Sequence, residues 1–348
     1  MNFPFNVYLL AVVSACATAL ATLPLWRKWC VRTGVVDDPG HRKIHAESVP
    51  LAGGLTVMTA LLLPTLAAWV LLWLNGFGGG LGHVLTIARL PSGASVPAPP
   101  DATPAFLLGY GLSRRAIQLG VILLGAGGML GVGWLDDKYE LRPAPKFAGQ
   151  LLVALMVAAS GVRITLFVPS ILFSYAVTIL WLLTVVNAFN FMDNMNGLCA
   201  GLGAIGAWYF AMAAAALGQY LVALLAFLTF GALLGFLPYN FPGARAFLGD
   251  AGSHLVGYLL GALAILPHFY TAQHPRRWAV LIPLFVLAVP LVDLVWVVIL
   301  RWRLGHPFYV GDTNHLSHRL VRLGLSRSQA VLIIWLAAAA IGGLSCLF

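Results

Sequence analysis

Apolar runs long enough to cross a bilayer recur along almost the whole 348-residue chain, and nothing else in the sequence restricts its fold as much. A spanning helix needs about 20 apolar residues. Ten segments reach or approach that length, near residues 4–26, 51–74, 115–135, 147–162, 169–187, 196–216, 219–237, 247–266, 278–300 and 328–347. Hydrophobic residues make up 60% of the chain and charged residues only 9%, where a soluble domain carries about 25% charge. The expected fold is an all-α integral membrane protein of about ten transmembrane helices. The runs share one bilayer and leave little soluble mass, so residues 1–348 read as a single domain. The division between 196–216 and 219–237 rests on Gly218 alone. Residues 75–105, rich in Gly, Pro and Ser, read as an outward loop that cannot build a core.

The net charge of +9 is not arranged as a basic stripe with interleaved aromatics, so nucleic acid is not an expected partner. It fits a membrane orientation instead. With ten spans, fourteen of the 20 Lys and Arg residues fall in the loops of one side, which the positive-inside rule makes cytoplasmic. Both termini then lie outside. The N-terminus lacks a basic region and a convincing cleavage site, so the first run reads as a retained helix rather than a signal peptide. Cys16, Cys30, Cys199 and Cys346 have no paired spacing and suggest neither a disulfide framework nor a zinc site.

Five polar clusters interrupt the apolar sequence, and this topology places all of them at the cytoplasmic face: Asp37 to Gly54, Asp136 to Lys146, Asn187 to Asn196, Phe247 to Ser253, and Arg301 to Arg322. Ionisable groups at a membrane mouth point to function. Asp136 and Asp137 are adjacent carboxylates that repel each other and need a cation nearby, such as a divalent metal or Lys146. Taken alone they would equally pin two helices by ion pairing. Asn187 and Asn190 are three residues apart, so both amides are expected to point the same way on a helix end. Amide oxygens are hard metal ligands and also read nucleobase edges, although helix caps around Gly197 would look the same. Asp250 stands between Gly249 and Gly252 at the start of an apolar run, a place for a phosphate, a metal or a simple N-cap. His315 and His318, with Arg301 and Arg303 upstream, suit a diphosphate cradle or a basic loop against anionic lipid. Asp293 lies inside an apolar run with no assigned partner, although Arg301 is near in sequence. In the first cluster, His41 and His45 follow a turn at Pro39-Gly40 and lead into a basic stretch.

Together and in this order, the five clusters resemble the polyprenyl-phosphate N-acetylhexosamine-1-phosphate transferases of glycosyltransferase family 4, over residues 37–329. The resemblance implies a bacterial inner-membrane enzyme with its active site at the cytoplasmic face. It would transfer a phospho-N-acetylhexosamine from a UDP-sugar to undecaprenyl or another polyprenyl phosphate, releasing UMP. The product, a lipid diphosphate sugar, initiates cell-envelope polysaccharide synthesis. The implied cofactor is magnesium, with manganese as its substitute, and a homodimer is compatible with the family.

By position, the resemblance makes Asp136 and Asp137 the paired aspartates, Lys146 a phosphate contact, and Asn190 and Asp250 magnesium-associated residues. Asn187, Asn196 and Phe247 become substrate contacts, the last two against the uracil. Arg301, Arg303, His315 and His318 fall in a loop that closes over the diphosphate and sugar. The Arg42-Lys43-Ile44-His45 segment, with His45 as a substrate contact, resembles the N-acetylglucosamine branch more than the MurNAc-pentapeptide branch. Two departures stand out. Ser317 occupies a position where many members have histidine, and Asp193-Asn194-Met195-Asn196-Gly197 replaces Asp-Gly-Leu-Asp-Gly. A transporter is the rival from another class, but it predicts midplane charges and repeated halves. Apart from Asp293 the charges gather at one mouth, and no internal repeat is visible.

Overall fold

The computed structural model describes residues 3–38, 48–74, 104–270, 276–307 and 313–347. All ten apolar segments are helical. They form α1 (Phe5–Thr33), α2 (Gly53–Leu74), α3 (Pro104–Tyr139), α4 (Pro143–Ala159), α5 (Ile171–Met192), α6 (Leu198–Ala216), α7 (Tyr220–Asn240), α8 (Gly249–Leu263), the pair α9 (Ile282–Val286) and α10 (Ala288–Arg303), and α12 (Arg327–Gly343). The short α11 (Leu316–Arg322) precedes α12, and a two-stranded ladder, β1 (Val36–Asp37) with β2 (Val49–Pro50), joins α1 to α2. The break at Gly218 is real, because α6 ends at Ala216 and α7 begins at Tyr220.

Seven of these helices are long and apolar enough to cross a membrane, and eight if α9 and α10, bent by 69°, make one span. The bend has a covalent cause. Pro290 lacks the N–H that would bond to the Val286 carbonyl, so the ladder fails between the two pieces. The remaining two segments are shorter than expected. At 1.5 Å per residue, the 17 residues of α4 and the 15 of α8 reach only about 26 and 22 Å. Every residue of α8 except Asp250 is buried, so α8 is an interior rod packed on all sides.

Burial separates inner from outer helices. The spanning windows of α6 and α7 are 67% buried, against 28% for α1, α2 and α3. The inner pair is built on small residues, including Ala200, Ala204, Ala207 and Ala211 on α6, which allow close helix approach. The outer helices turn Leu9, Leu66, Leu124 and Leu336 outward, as a lipid-facing surface requires.

Candidate active site

The site is assembled around the first turn of α8. A helix start leaves backbone N–H groups without intrahelical partners and carries partial positive charge. Here they are met by carboxylates from distant segments. The Asp250 and Ala251 amides donate to the two oxygens of Asp137 on the last turn of α3, at 2.7 and 2.9 Å. The Gly249 backbone faces Asp193, just past the end of α5. Gly249 has φ +72°, and a Cβ there would stand 2.8 Å from Asp137 Oδ2, so a side chain is excluded twice over. Burial, reinforced by the carboxylates of Asp250 and Asp137, holds Asp193 well above the usual carboxylate range.

With the α8 amides satisfied from outside, the Asp250 side chain is left to face other groups. Its Oδ2 meets Lys146 Nζ at 3.3 Å, and its Oδ1 accepts from Asn190 Nδ2. Lys146, on the first turn of α4, also pairs with Asp136 Oδ2 at 2.6 Å. Asp136 Oδ1 accepts from the Leu141 amide at 2.9 Å, which ties the α3–α4 turn to the same carboxylate. Asn190 donates in addition to Ser253 Oγ at 3.0 Å. Asp136, Asp137, Lys146, Asn190 and Asp250 are therefore one contiguous network, built from four helices.

A second group adjoins it through Phe191. The guanidinium of Arg301, buried at the end of α10, lies 4.9 Å from the Phe191 ring centre, and the His315 ring packs edge-on at 5.4 Å. Asp293 finds its partners here. It accepts from His315 Nδ1 and from the Leu316 amide, both at 2.7 Å, and so fixes the start of α11. His318 lies 6.4 Å from His315, ring to ring. Burial, with His315, Arg322 and Arg327 nearby, pushes its imidazole below the usual range. Ser317 Oγ donates to Asn194 Oδ1 at 2.7 Å, which joins α11 to the α5–α6 turn.

Other sequence-selected residues lie farther from the carboxylates. Asn187 turns to Gln150 Oε1 on α4, at 2.9 Å, and does not share the face of Asn190. Asn196 donates to the Pro242 carbonyl at 3.2 Å. Phe247 is half-buried, and its backbone bonds to Pro50 and Gly53 bring the first cluster to this end of the bundle. Arg303 is exposed. His45 lies outside the described residues. All five clusters thus meet at one end of the bundle, linked by direct contacts.

Comparison with known proteins identifies the family. The glycosyl transferase family 4 profile matches residues 119–268. A decaprenyl-phosphate N-acetylglucosaminephosphotransferase of Mycobacterium tuberculosis is 31% identical over 372 residues, covering 98% of this chain and 82% of the relative. The chain belongs to glycosyl transferase family 4. A probable undecaprenyl-phosphate N-acetylglucosaminyl 1-phosphate transferase of Bacillus subtilis is 29% identical over 94% of this chain and 80% of its own length. An undecaprenyl-phosphate alpha-N-acetylglucosaminyl 1-phosphate transferase of Yersinia pestis is 26% identical over 92% and 79%. As a family 4 member with this many apolar helices, the chain is a multi-pass membrane transferase.

The profile match takes in the whole carboxylate network and stops short of Arg301, His315 and His318. The structure adds residues that the sequence reading left unassigned. Asp193 was visible as the single acid in an asparagine-rich stripe. Asp293 was visible as an acid in an apolar run, but only the fold supplies His315 as its partner. Ser253 carried no signal beyond its place three residues after Asp250.

Proposed function

We propose that this chain transfers N-acetylglucosamine 1-phosphate from a UDP-sugar to a polyprenyl phosphate at the inner face of the bacterial cytoplasmic membrane. The observation that carries the reading is the Asp136–Lys146–Asp250–Asn190 network at one end of an apolar bundle. The names of the relatives support the polyprenyl phosphate acceptor and the N-acetylglucosamine 1-phosphate group. An oxygen of the lipid phosphate attacks the sugar-bearing phosphorus, the bond from that phosphorus to the bridging oxygen breaks, and UMP leaves. The lipid phosphate is already ionised near neutral pH, so positioning and charge neutralisation matter more than a general base.

Magnesium fits the residues present. Four carboxylates gather here with Lys146, and two phosphate-bearing substrates add further negative charge. Among the described residues, no group of three or more His, Cys, Asp or Glu side chains could hold a metal ion. That suits an ion which takes one or two carboxylates, keeps water and completes its shell with substrate phosphate. Asp250 and Asn190 would hold it, the amide turning to present its oxygen. When bound, it would neutralise phosphate charge and polarise the phosphoryl group.

The protein's own groups do the rest. Lys146 shares its ammonium between Asp136 and Asp250, and can exchange one of those contacts for a phosphate oxygen. Asp137 and Asp193 hold α8 in place, and Asp250 with it. Arg301, His315 and His318 stand beside the network to meet the diphosphate.

The deciding experiment offers a panel of radiolabelled UDP-sugars to purified protein with undecaprenyl phosphate and magnesium. Label should pass to lipid from UDP-N-acetylglucosamine; transfer from none of the donors would end the reading. Phe247→Ala should raise the apparent KM for the nucleotide sugar about tenfold through loss of ring stacking. An unchanged KM would remove that role.

A further inference from the structure

Asn194 and Ser317 meet in the fold, although 123 residues separate them. The resemblance noted above marks both as departures from the family motif, together with Met195 and Asn196. Their hydrogen bond is 2.7 Å long, and Ser317 is 1% exposed. The Asn194 amide is used at both ends, because its Nδ2 donates to the Phe191 carbonyl at 2.7 Å while its oxygen receives Ser317.

Location gives the contact its meaning. Asn194 follows Asp193 directly, and Ser317 lies between His315 and His318. Helix α11 has only seven residues and no side-chain cap of its own at His315. So short a helix does not hold itself in water, and its position depends on what it is tied to. One tie is Asp293, which grips His315 and the Leu316 amide from α10. Another is Asn194, which grips Ser317 from the turn that carries Asp193.

Resting on the transferase reading above, we propose that Asn194 and Ser317 are a matched positioning pair. They latch the histidine helix α11 to the Asp193 turn and so keep His315 and His318 in register with the carboxylate network.

The test is a mutant cycle on the purified full chain, read as kcat and KM for UMP release. Loss of one buried neutral hydrogen bond corresponds to roughly a 3- to 10-fold effect. Ser317→Ala and Asn194→Ala should each lower kcat about fivefold, with KM for the nucleotide sugar within about twofold of wild type. The double alanine variant should be no worse than the poorer single one, since the bond is already gone. Alanine variants at wild-type rate, or a double variant whose loss is the product of the single losses, would overturn the pairing while leaving the transferase reading intact. A wild-type chain that turns over none of the UDP-sugars would overturn both.

Discussion

Replacing Asp250 by asparagine should lower UMP release at least about a hundredfold while the protein remains folded in detergent. An effect of that size is typical when one preorganised polar group is removed from an active site. The substitution keeps the shape of the side chain and leaves the α8 amides on Asp137, so the helix start stays capped. What disappears is the negative charge on which Lys146 and Asn190 converge. Asp137→Asn should inactivate by a different route. Its carboxylate receives two backbone N–H groups, and the variant amide turns an NH2 toward one of them. Loss of a helix cap costs about 0.5–2 kcal/mol, so this variant should show a lower midpoint of thermal unfolding as well as lower turnover. Rate and thermal midpoint measured together separate the two roles. Normal turnover by Asp250→Asn would remove the network from the chemistry.

The sequence made the apolar segments legible because a bilayer demands them, and each of the ten proves helical. It did not make their lengths legible. Lipid-facing and protein-facing positions are equally apolar, so the interior helix α8 reads like a span. Within the site, Asp136, Lys146, Asn190 and Asp250 were readable as rare polar groups in apolar surroundings. Their division of labour was not. A spacing of three residues leaves Asn187 and Asn190 about 60° apart around a helix of 3.6 residues per turn. That angle is enough for one to reach α8 and the other α4. Asp137 caps a helix that begins more than a hundred residues later, and no local pattern announces such a contact. The cluster at Arg301 to Arg322 was readable as basic and histidine-rich, but Asp293 and Asn194, which hold α11, lie on α10 and on the α5–α6 turn.

Gly133→Ala should be nearly as damaging as Asp250→Asn, although Gly133 carries no functional group. On the last stretch of α3, one turn before Asp137, Gly133 lies against the α8 backbone. A Cβ there would overlap the Asp250 carbonyl and the Ala251 nitrogen, and these are backbone atoms that cannot swing aside as a side-chain tip would. Helices α3 and α8 must then separate. Overpacking of this kind costs about 1–3 kcal/mol, occasionally more. The larger penalty falls on geometry, because the same separation stretches both hydrogen bonds from α8 to Asp137 and moves Asp250 away from Lys146. A misplacement of about 1 Å can cost about a hundredfold in rate. The expected result is a folded, less stable protein with at least about a hundredfold lower kcat. Gly131→Ala serves as the control, since a Cβ at that position meets nothing within 4 Å. Equal activity in the two alanine variants would show that close approach of α3 to α8 does not set the position of Asp250.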